Sequence, residues 1–405
     1  MASLNIDPIT VLIGTNSSGK SNILDALSFL NRIAQGILVT PALQGDAGLT
    51  QMRGGLEWAA QRPGNRFSIS TSVRQNKTTE FVYKIECQVN SRQCEIFSER
   101  LIRLKYRINA KGKRNPKPSQ ISLFWTDPVD QVSPSITARL YNSTRGTPRN
   151  FSRSGSVLFQ LFGQKTLSEI QDGVVETLEA MRGIFILDPI PSHMRGFSPL
   201  SDSLASDAGN LAGVLAALPQ AEKDKVENIL THYVSHLPER DIKKVYAEPV
   251  GKFGSDAMLY CEESYGNLIT LVDARGMSDG TLRFLAILTA LLTRPSESML
   301  VVEEVDNGLH PSRSKLLLNM LKAEGAERKI DIMVTTHNPA LLDEMGTEMI
   351  PFITVAHRNG VSGATELTLL EDIKQLPKLL ASGPIGRISS RGLIETALRD
   401  SEDAA

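Results

Sequence analysis

An α/β fold with a mostly parallel central sheet and an inserted antiparallel β lobe is predicted by three features of this 405-residue sequence. A β-branched run, Ile9-Thr10-Val11-Leu12-Ile13, enters a glycine-rich loop and then a helical pattern. From about residue 183 to 335, strand-like and helix-like segments succeed one another, as expected for parallel strands covered by helices. Between these halves, residues 66 to 107 read as strands with a period of two. The expected organisation is therefore residues 1–65 and 181–395 as two parts of one body, with 66–180 as the inserted lobe.

The first helix is expected from Lys20 to about Ala34, because Ile23, Leu24, Leu27, Leu30 and Ile33 recur at helical spacing. Six glycines between 35 and 65 make that stretch a loop-rich excursion, with at most short elements near Leu38 and Trp58. Strands are expected over 67–73, 81–87 and 96–108, followed by a charged turn at 111–118. Residues 126–156, rich in Ser, Thr, Pro and Asn, read as irregular. A helix is expected around 175–181, a strand at 183–187 stopped by Asp188-Pro189, then helices from Asn210 to Leu218 and over 223–237. Strands at 245–250, 257–261 and 268–272 return the chain to a core. Helix 281–293, strand 299–303, helix 312–323 and strand 331–335 complete the alternation. Strands at 352–356 and 366–369 follow, then an irregular 383–390 and a frayed acidic tail after Arg399.

Hydrophobic residues are 41%, charged residues 22% and the formal net charge is -1, so no global field points to nucleic acid or membrane. Cys87, Cys94 and Cys261 are too few and scattered for a disulfide framework or zinc site. With no basic start and apolar run in Met1–Pro8 and no long apolar stretch, a cytoplasmic location without membrane contact is expected.

Gly14-Thr15-Asn16-Ser17-Ser18-Gly19-Lys20-Ser21 matches the full phosphate-loop pattern, with a strand before and a helix after. Backbone N–H groups of Gly14, Asn16, Ser17, Ser18 and Gly19 and the helix terminus suit phosphate oxygens. Lys20 would pair with the β and γ phosphates of ATP, and the Ser21 hydroxyl would ligate Mg2+. Two carboxylates, Glu303 and Glu304, end the apolar run Met299–Val302; Glu303 would hold magnesium through water and Glu304 would orient or deprotonate the attacking water. A third apolar strand, Asp331–Thr335, runs into Thr336-His337-Asn338-Pro339, placing His337 where it could contact a γ phosphate. The competing local reading of Glu303-Glu304 is two acids on a solvated strand end, and an isolated His337 would more often be a surface or packing histidine.

These segments, together with Ser278-Asp279-Gly280-Thr281 and Glu303-Glu304-Val305-Asp306-Asn307-Gly308-Leu309-His310-Pro311, resemble in order the motifs of AAA family ATPases with ABC-type heads. That group includes chromosome-maintenance and RecF-like proteins and the ATPase part of OLD proteins. The resemblance covers roughly residues 9–34 and 183–390 and implies a P-loop NTPase with an ABC-ATPase-like head. It implies that Ser278 is the signature serine, Glu304 the catalytic glutamate and His337 the switch histidine, with Lys20 beside them. It further implies that Ser278 and Gly280 complete the ATP site of another subunit, in a homodimer of paired heads or a higher homo-oligomer. Ser278 or Asp279 also reads locally as a helix cap, which is compatible with that role. Val305 departs from the proline common after the paired acids, and both Gln51 and Gln160 compete as the magnesium-sensing glutamine.

Eight basic residues, Arg100, Arg103, Lys105, Arg107, Lys111, Lys113, Arg114 and Lys117, fall between 100 and 118 without an acid. They suit contact with nucleic acid, duplex DNA or RNA, with a charge-protected edge strand as the competing reading and protein recognition as a third. Compact ATPases of this kind often accompany a separate nuclease or toxin in bacterial defence against phage, so the resemblance implies a sensor or scaffold controlling such an effector. A DNA repair or recombination clamp and a structural nucleotide-binding module are the alternatives.

Overall fold

A computed structural model describes residues 2–109, 111–129, 133–237, 242–266, 268–360 and 362–403. The chain divides into two compact units, one formed by 1–22 with 185–405 and the other by 23–184. The second unit thus begins inside the first long helix, Lys20–Ala34, and takes in the 35–65 excursion as well as the β lobe.

Among the described residues the main sheet has six strands in the order Thr365–Leu369, Ile353–Arg358, Ile9–Ile13, Asp331–Thr335, Met299–Val302 and Ile184–Leu187. Ile9–Ile13 runs parallel to both neighbours, pairing Leu12 with Thr335 and Ile13 with Val355. Met299–Val302 is parallel to Asp331–Thr335, with Val302 opposite Val334, whereas Thr365–Leu369 returns antiparallel. Continuous burial of Met299–Val302 and of Ile332–Thr335 explains why these strands read as unbroken apolar runs: both faces are covered. Helix Asp279–Thr293 is buried along almost its whole length, which fits its all-round apolar sequence. A smaller antiparallel sheet, Ile242–Val250, Asp256–Tyr265 and Leu268–Asp273 with Ser198–Pro199 alongside, belongs to the same unit.

The second unit carries a six-stranded antiparallel meander: Arg66–Arg74, Thr79–Val89, Cys94–Lys105, Ser119–Thr126, Ser135–Leu140 and Thr147–Ser152. Its inner face contributes Phe81, Tyr83, Ile85, Leu101, Leu123, Phe124 and Ile136 to a core closed by helices Val157–Leu161 and Ser168–Arg182. The last two strands correct the expectation of irregular structure over 126–156; residues 130–132 of that stretch lie outside the described residues. Their apolar content is confined to alternate positions, Ile136, Ala138, Leu140 and Phe151, which the Ser and Thr on the other face obscure.

Two further corrections concern the carboxyl end. The segment expected to be irregular, 383–390, contains helix Ile385–Ser390, and the tail expected to fray forms helix Leu393–Asp403; residues 404–405 lie outside the described residues. Gly386 allows the first of these helices to approach helix Pro339–Met345, since a Cβ there would meet Pro339 O at 1.9 Å. The three cysteines are buried and free. No helix of the described residues is long and apolar enough to cross a membrane.

Candidate functional site

Parallel pairing brings the carboxyl ends of Ile9–Ile13, Asp331–Thr335 and Met299–Val302 side by side, so Gly14, Thr336 and Glu303 leave the same edge of the sheet. This is where ligands bind in open α/β sheets. Gly14 and Gly19 have φ of 146° and 102°, and Ser17 lies in the left-handed region at 66°. A Cβ at Gly14 would meet Ala356 O at 2.3 Å, and one at Gly19 would meet Thr365 Oγ1 at 2.2 Å, so both glycines are required by backbone conformation and by close approach. Thr15, Asn16 and Ser17 are exposed, Gly19, Lys20 and Ser21 half-buried, and Ser18 buried.

Lys20 Nζ folds back over the loop, donating to Gly14 O at 2.5 Å and Thr15 O at 3.0 Å. Burial pulls the Lys20 pKa down, and the carboxylates of Glu304 and Glu395 oppose that shift. Arg358 Nε donates to Ser17 O at 2.8 Å and ties the loop to the adjacent strand. The fit to a triphosphate rests on two observations. The Ser18 hydroxyl is buried without a hydrogen-bond partner, and the loop lies ahead of the N-terminus of Lys20–Ala34, whose first-turn N–H groups have no intrahelical acceptor.

The acid pair is held by backbone turns. Glu303 N donates to Leu187 O at 3.1 Å, Glu304 N to Thr335 Oγ1 at 2.8 Å, and Val305 N to Thr335 O at 3.1 Å. Glu304 takes the left-handed conformation, φ 46°, so the chain turns sharply there and strand alternation no longer sends the two carboxylates to opposite faces. Glu304 Oε1 stands 3.9 Å from His337 Nδ1, both side chains are substantially exposed, and Asn307 Nδ2 donates to Glu304 Oε2 at 3.3 Å. Thr336 donates to the buried Asp306 carboxylate at 2.6 Å, linking the segment after the acids to the residue before His337. Val305, where the resemblance expects proline, is buried and supplies an N–H that proline would lack.

Ser278 caps helix Asp279–Thr293 by accepting from Thr281 N at 3.1 Å. Ser278 and Asp279 are exposed; Gly280 is buried. A Cβ at Gly280 would meet Gly308 O at 2.7 Å and Arg313 Nη1 at 2.9 Å. The hydrogen bonds of Ser278 run to Thr281 and, from Leu282 N to Ser278 O at 3.0 Å, to Leu282 of the same helix, while Gly280 packs close to Gly308 and Arg313. The structure thus gathers Lys20, Glu303, Glu304 and His337 at one sheet edge and holds Ser278 on a separate helix start.

The glutamine candidates separate on their bonding. Gln160 donates to Ser152 O and Gly155 O and accepts from Ser152 N, which commits its amide to the lobe. Gln51 is exposed and lines a cavity of about 400 Å3 with Gln44, Gly54, Leu56, Glu57, Trp58 and Ser91. Of the eight basic residues, Arg103 is buried and paired with Glu169 at 3.1 Å. Arg114 is likewise engaged: it reaches Asn76 O, Lys77 O and Glu80 and lies over the Tyr106 ring. Arg100, Lys105, Arg107, Lys111, Lys113 and Lys117 are exposed. Sequence reasoning missed Arg358, Glu395, Thr335 and Arg195, none of which stands in a glycine-rich or paired-acid pattern.

No curated protein matches the chain. Solved structures to which the chain is similar include the SMC head domain from Thermotoga maritima, 12% identical, covering 91% of this chain and 92% of that one with a TM-score of 0.37. The Smc head domain with an extended coiled coil bound to the C-terminal domain of ScpA, derived from Pyrococcus furiosus, is 12% identical over 94% of this chain and 95% of that one, TM-score 0.43. An SmcHead bound to the C-winged helix domain of ScpA is 14% identical over 91% of each chain, again at 0.43. The family model described as "AAA domain, putative AbiEii toxin, Type IV TA system" matches residues 9–102 and 198–343, more than half of the chain. The chain belongs to this family, and it is a P-loop ATPase with an ABC-type head.

Proposed function

We propose that the sheet edge at Gly14, Glu303 and Thr336 is the ATPase centre and that two such heads pair to complete it. The observation that carries this reading is the convergence of three motifs on adjacent parallel strand ends, with Glu304 and His337 3.9 Å apart beside them. Lys20 neutralises the β and γ phosphates; the Ser21 hydroxyl and, through water, Glu303 hold Mg2+, which offsets charge on the transferring phosphoryl group. Gly14, Asn16, Ser17, Ser18 and Gly19 cradle phosphate oxygens. Glu304 orients the attacking water or accepts its proton, and His337 senses the γ phosphate. Ser278, exposed at a helix N-terminus, reaches the γ phosphate of the opposite head, with buried Gly280 setting the helix start. Closure is then stabilised by contacts that exist only while the γ phosphate is present, and hydrolysis releases it.

In this reading the pair of heads controls a separate nuclease or toxin in bacterial anti-phage defence, in keeping with a family description that names a toxin and a toxin–antitoxin system. A second reading, a clamp on duplex DNA, is favoured by the six exposed basic residues Arg100, Lys105, Arg107, Lys111, Lys113 and Lys117. Mass in solution of the Glu304→Gln protein, with and without ATP-magnesium and duplex DNA, separates the two. Pairing on ATP alone supports the gated scaffold, a further DNA-bound species supports the clamp, and an unchanged mass removes the paired-head mechanism. Purification alongside its native neighbours tests the effector: absence of any ATP-dependent association would end that role.

A further inference from the structure

Ser278 is exposed, yet the turn that delivers it is tightly bound from outside its own helix. Arg195 follows the short helix Pro191–Met194, whose Pro191 and Met194 are buried and which packs on helix Asp279–Thr293. From there Arg195 Nη1 donates to three carbonyls of one turn, Ala274 O at 3.1 Å, Arg275 O at 2.8 Å and Met277 O at 2.8 Å. Arg195 Nη2 meets the Asp279 carboxylate at 2.5 Å. The turn closes on itself through Gly276 N to Asp273 O at 2.9 Å. Carbonyls turned toward one point repel each other and need a donor; a planar guanidinium satisfies them while its other nitrogen fixes the first helical residue. Ser278 lies between the two ends of this staple.

The staple also sits on a segment that touches the acid pair. Leu187 O accepts the Glu303 N–H at 3.1 Å, and the chain runs from there directly through Asp188 and helix Pro191–Met194 to Arg195. We propose that Arg195 is the positioning residue for Ser278: it holds the turn 274–277 and Asp279 so that Ser278 is presented to the nucleotide of the opposite head. This inference rests on the paired-head reading.

Such a residue acts on the partner's site and not on its own, which gives the test. Arg195→Ala is expected to bind ATP within about twofold of the parent but to turn it over about tenfold or more slowly at saturation, since a misplacement of about 1 Å is costly in catalysis. Mixed with Glu304→Gln protein, whose signature turn is intact, Arg195→Ala is expected to regain turnover, because one composite site then has every part. Ser278→Ala mixed with Glu304→Gln is the control, because it removes the hydroxyl without placing bulk against the opposite head. If Ser278→Ala is rescued and Arg195→Ala is not, the positioning role is overturned while the paired-head reading stands. If neither is rescued, the paired-head reading fails and the inference with it. Parental turnover by Arg195→Ala alone also overturns it. Should Arg195→Ala not fold, Arg195→Lys takes its place in the same mixture: its single ammonium cannot span the carbonyls and Asp279 together, so the same loss and the same rescue are expected.

Discussion

In the proposed ATPase centre, Lys20 is assigned to binding and Glu304 to chemistry at the level of single side chains. Lys20 is half-buried, braced on Gly14 O and Thr15 O, and is the cation of the loop. Lys20→Ala is expected to raise the dissociation constant for ATP by at least about tenfold in equilibrium dialysis, the scale of one lost charge-assisted interaction. Glu304→Gln keeps the shape and the Asn307 contact while removing the charge, so it is expected to retain ATP and lower turnover by about 10²-fold or more. Parental turnover in that variant would remove Glu304 from the chemistry. A different residue, Glu99, governs the stability of the other unit. Its buried carboxylate accepts from Tyr83 and Ser156 hydroxyls, each at 2.9 Å, and from Val157 and Leu158 N–H, each at 2.8 Å. Desolvation raises its pKa above the ordinary carboxyl range and outweighs the lowering by those four bonds. The folded state therefore holds the proton more tightly than the unfolded one. The Glu99 contribution is fully present below the unfolded carboxyl value of about 4.3 and is lost as pH rises through the raised folded value. Glu99→Ala strands four donors and is expected to destabilise this unit by on the order of 3 kcal/mol and to abolish that pH component. Both tryptophans, Trp58 and Trp125, lie within 23–184, so intrinsic fluorescence during denaturation reads it out.

At the scale of elements, the glycines mark where helices and loops must nearly touch. Gly280 lets the segment after the acid pair pass over the helix start, with Gly308 O 2.7 Å from where a Cβ would stand. Gly280→Ala is expected to push the two apart and to lower turnover several-fold with little change in nucleotide affinity, because it displaces Ser278 and leaves the loop 14–21 untouched. Equal loss of affinity and turnover would contradict that assignment. The same distinction explains what the sequence made legible. The placement of the loop 14–21, the acid pair and His337 at one sheet edge was readable because each directly follows an apolar strand, and the strands 9–13, 299–302 and 331–335 were readable because both faces are buried. The strands Ser135–Leu140 and Thr147–Ser152 were not, because their buried apolar residues are confined to Ile136, Ala138, Leu140 and Phe151. Helix Leu393–Asp403 was not either, because its buried Ile394, Ala397 and Leu398 are sparse among acids. Arg195, Arg358 and Thr335 were invisible for a third reason: each acts on backbone atoms distant in sequence, which no local pattern records.

For the whole molecule, the question is whether ATP changes the number of chains held together. Each head exposes Ser278 and Asp279 at one helix start and Glu304 with His337 at the sheet edge. If these surfaces meet across two heads, the γ phosphate joins them and its removal separates them, so the lifetime of the pair follows hydrolysis. On the paired-head proposal, Glu304→Gln traps the ATP state, whereas Ser278→Arg places a long cation where the opposite phosphate loop must approach. The first is expected to double in mass on adding ATP-magnesium and the second to keep its nucleotide-free mass, with both binding ATP at similar affinity. DNA enters the same measurement as a separate variable. Replacing Arg100, Lys105, Arg107, Lys111, Lys113 and Lys117 in small groups leaves the buried Arg103–Glu169 pair and the Arg114 contacts intact. Reduced DNA binding with unchanged ATP-dependent pairing would make the basic surface a separable sensor, and loss of both would tie DNA to head closure. Unchanged DNA binding would leave the clamp without its main support, since no other interval of this length in the sequence gathers so many unopposed cations.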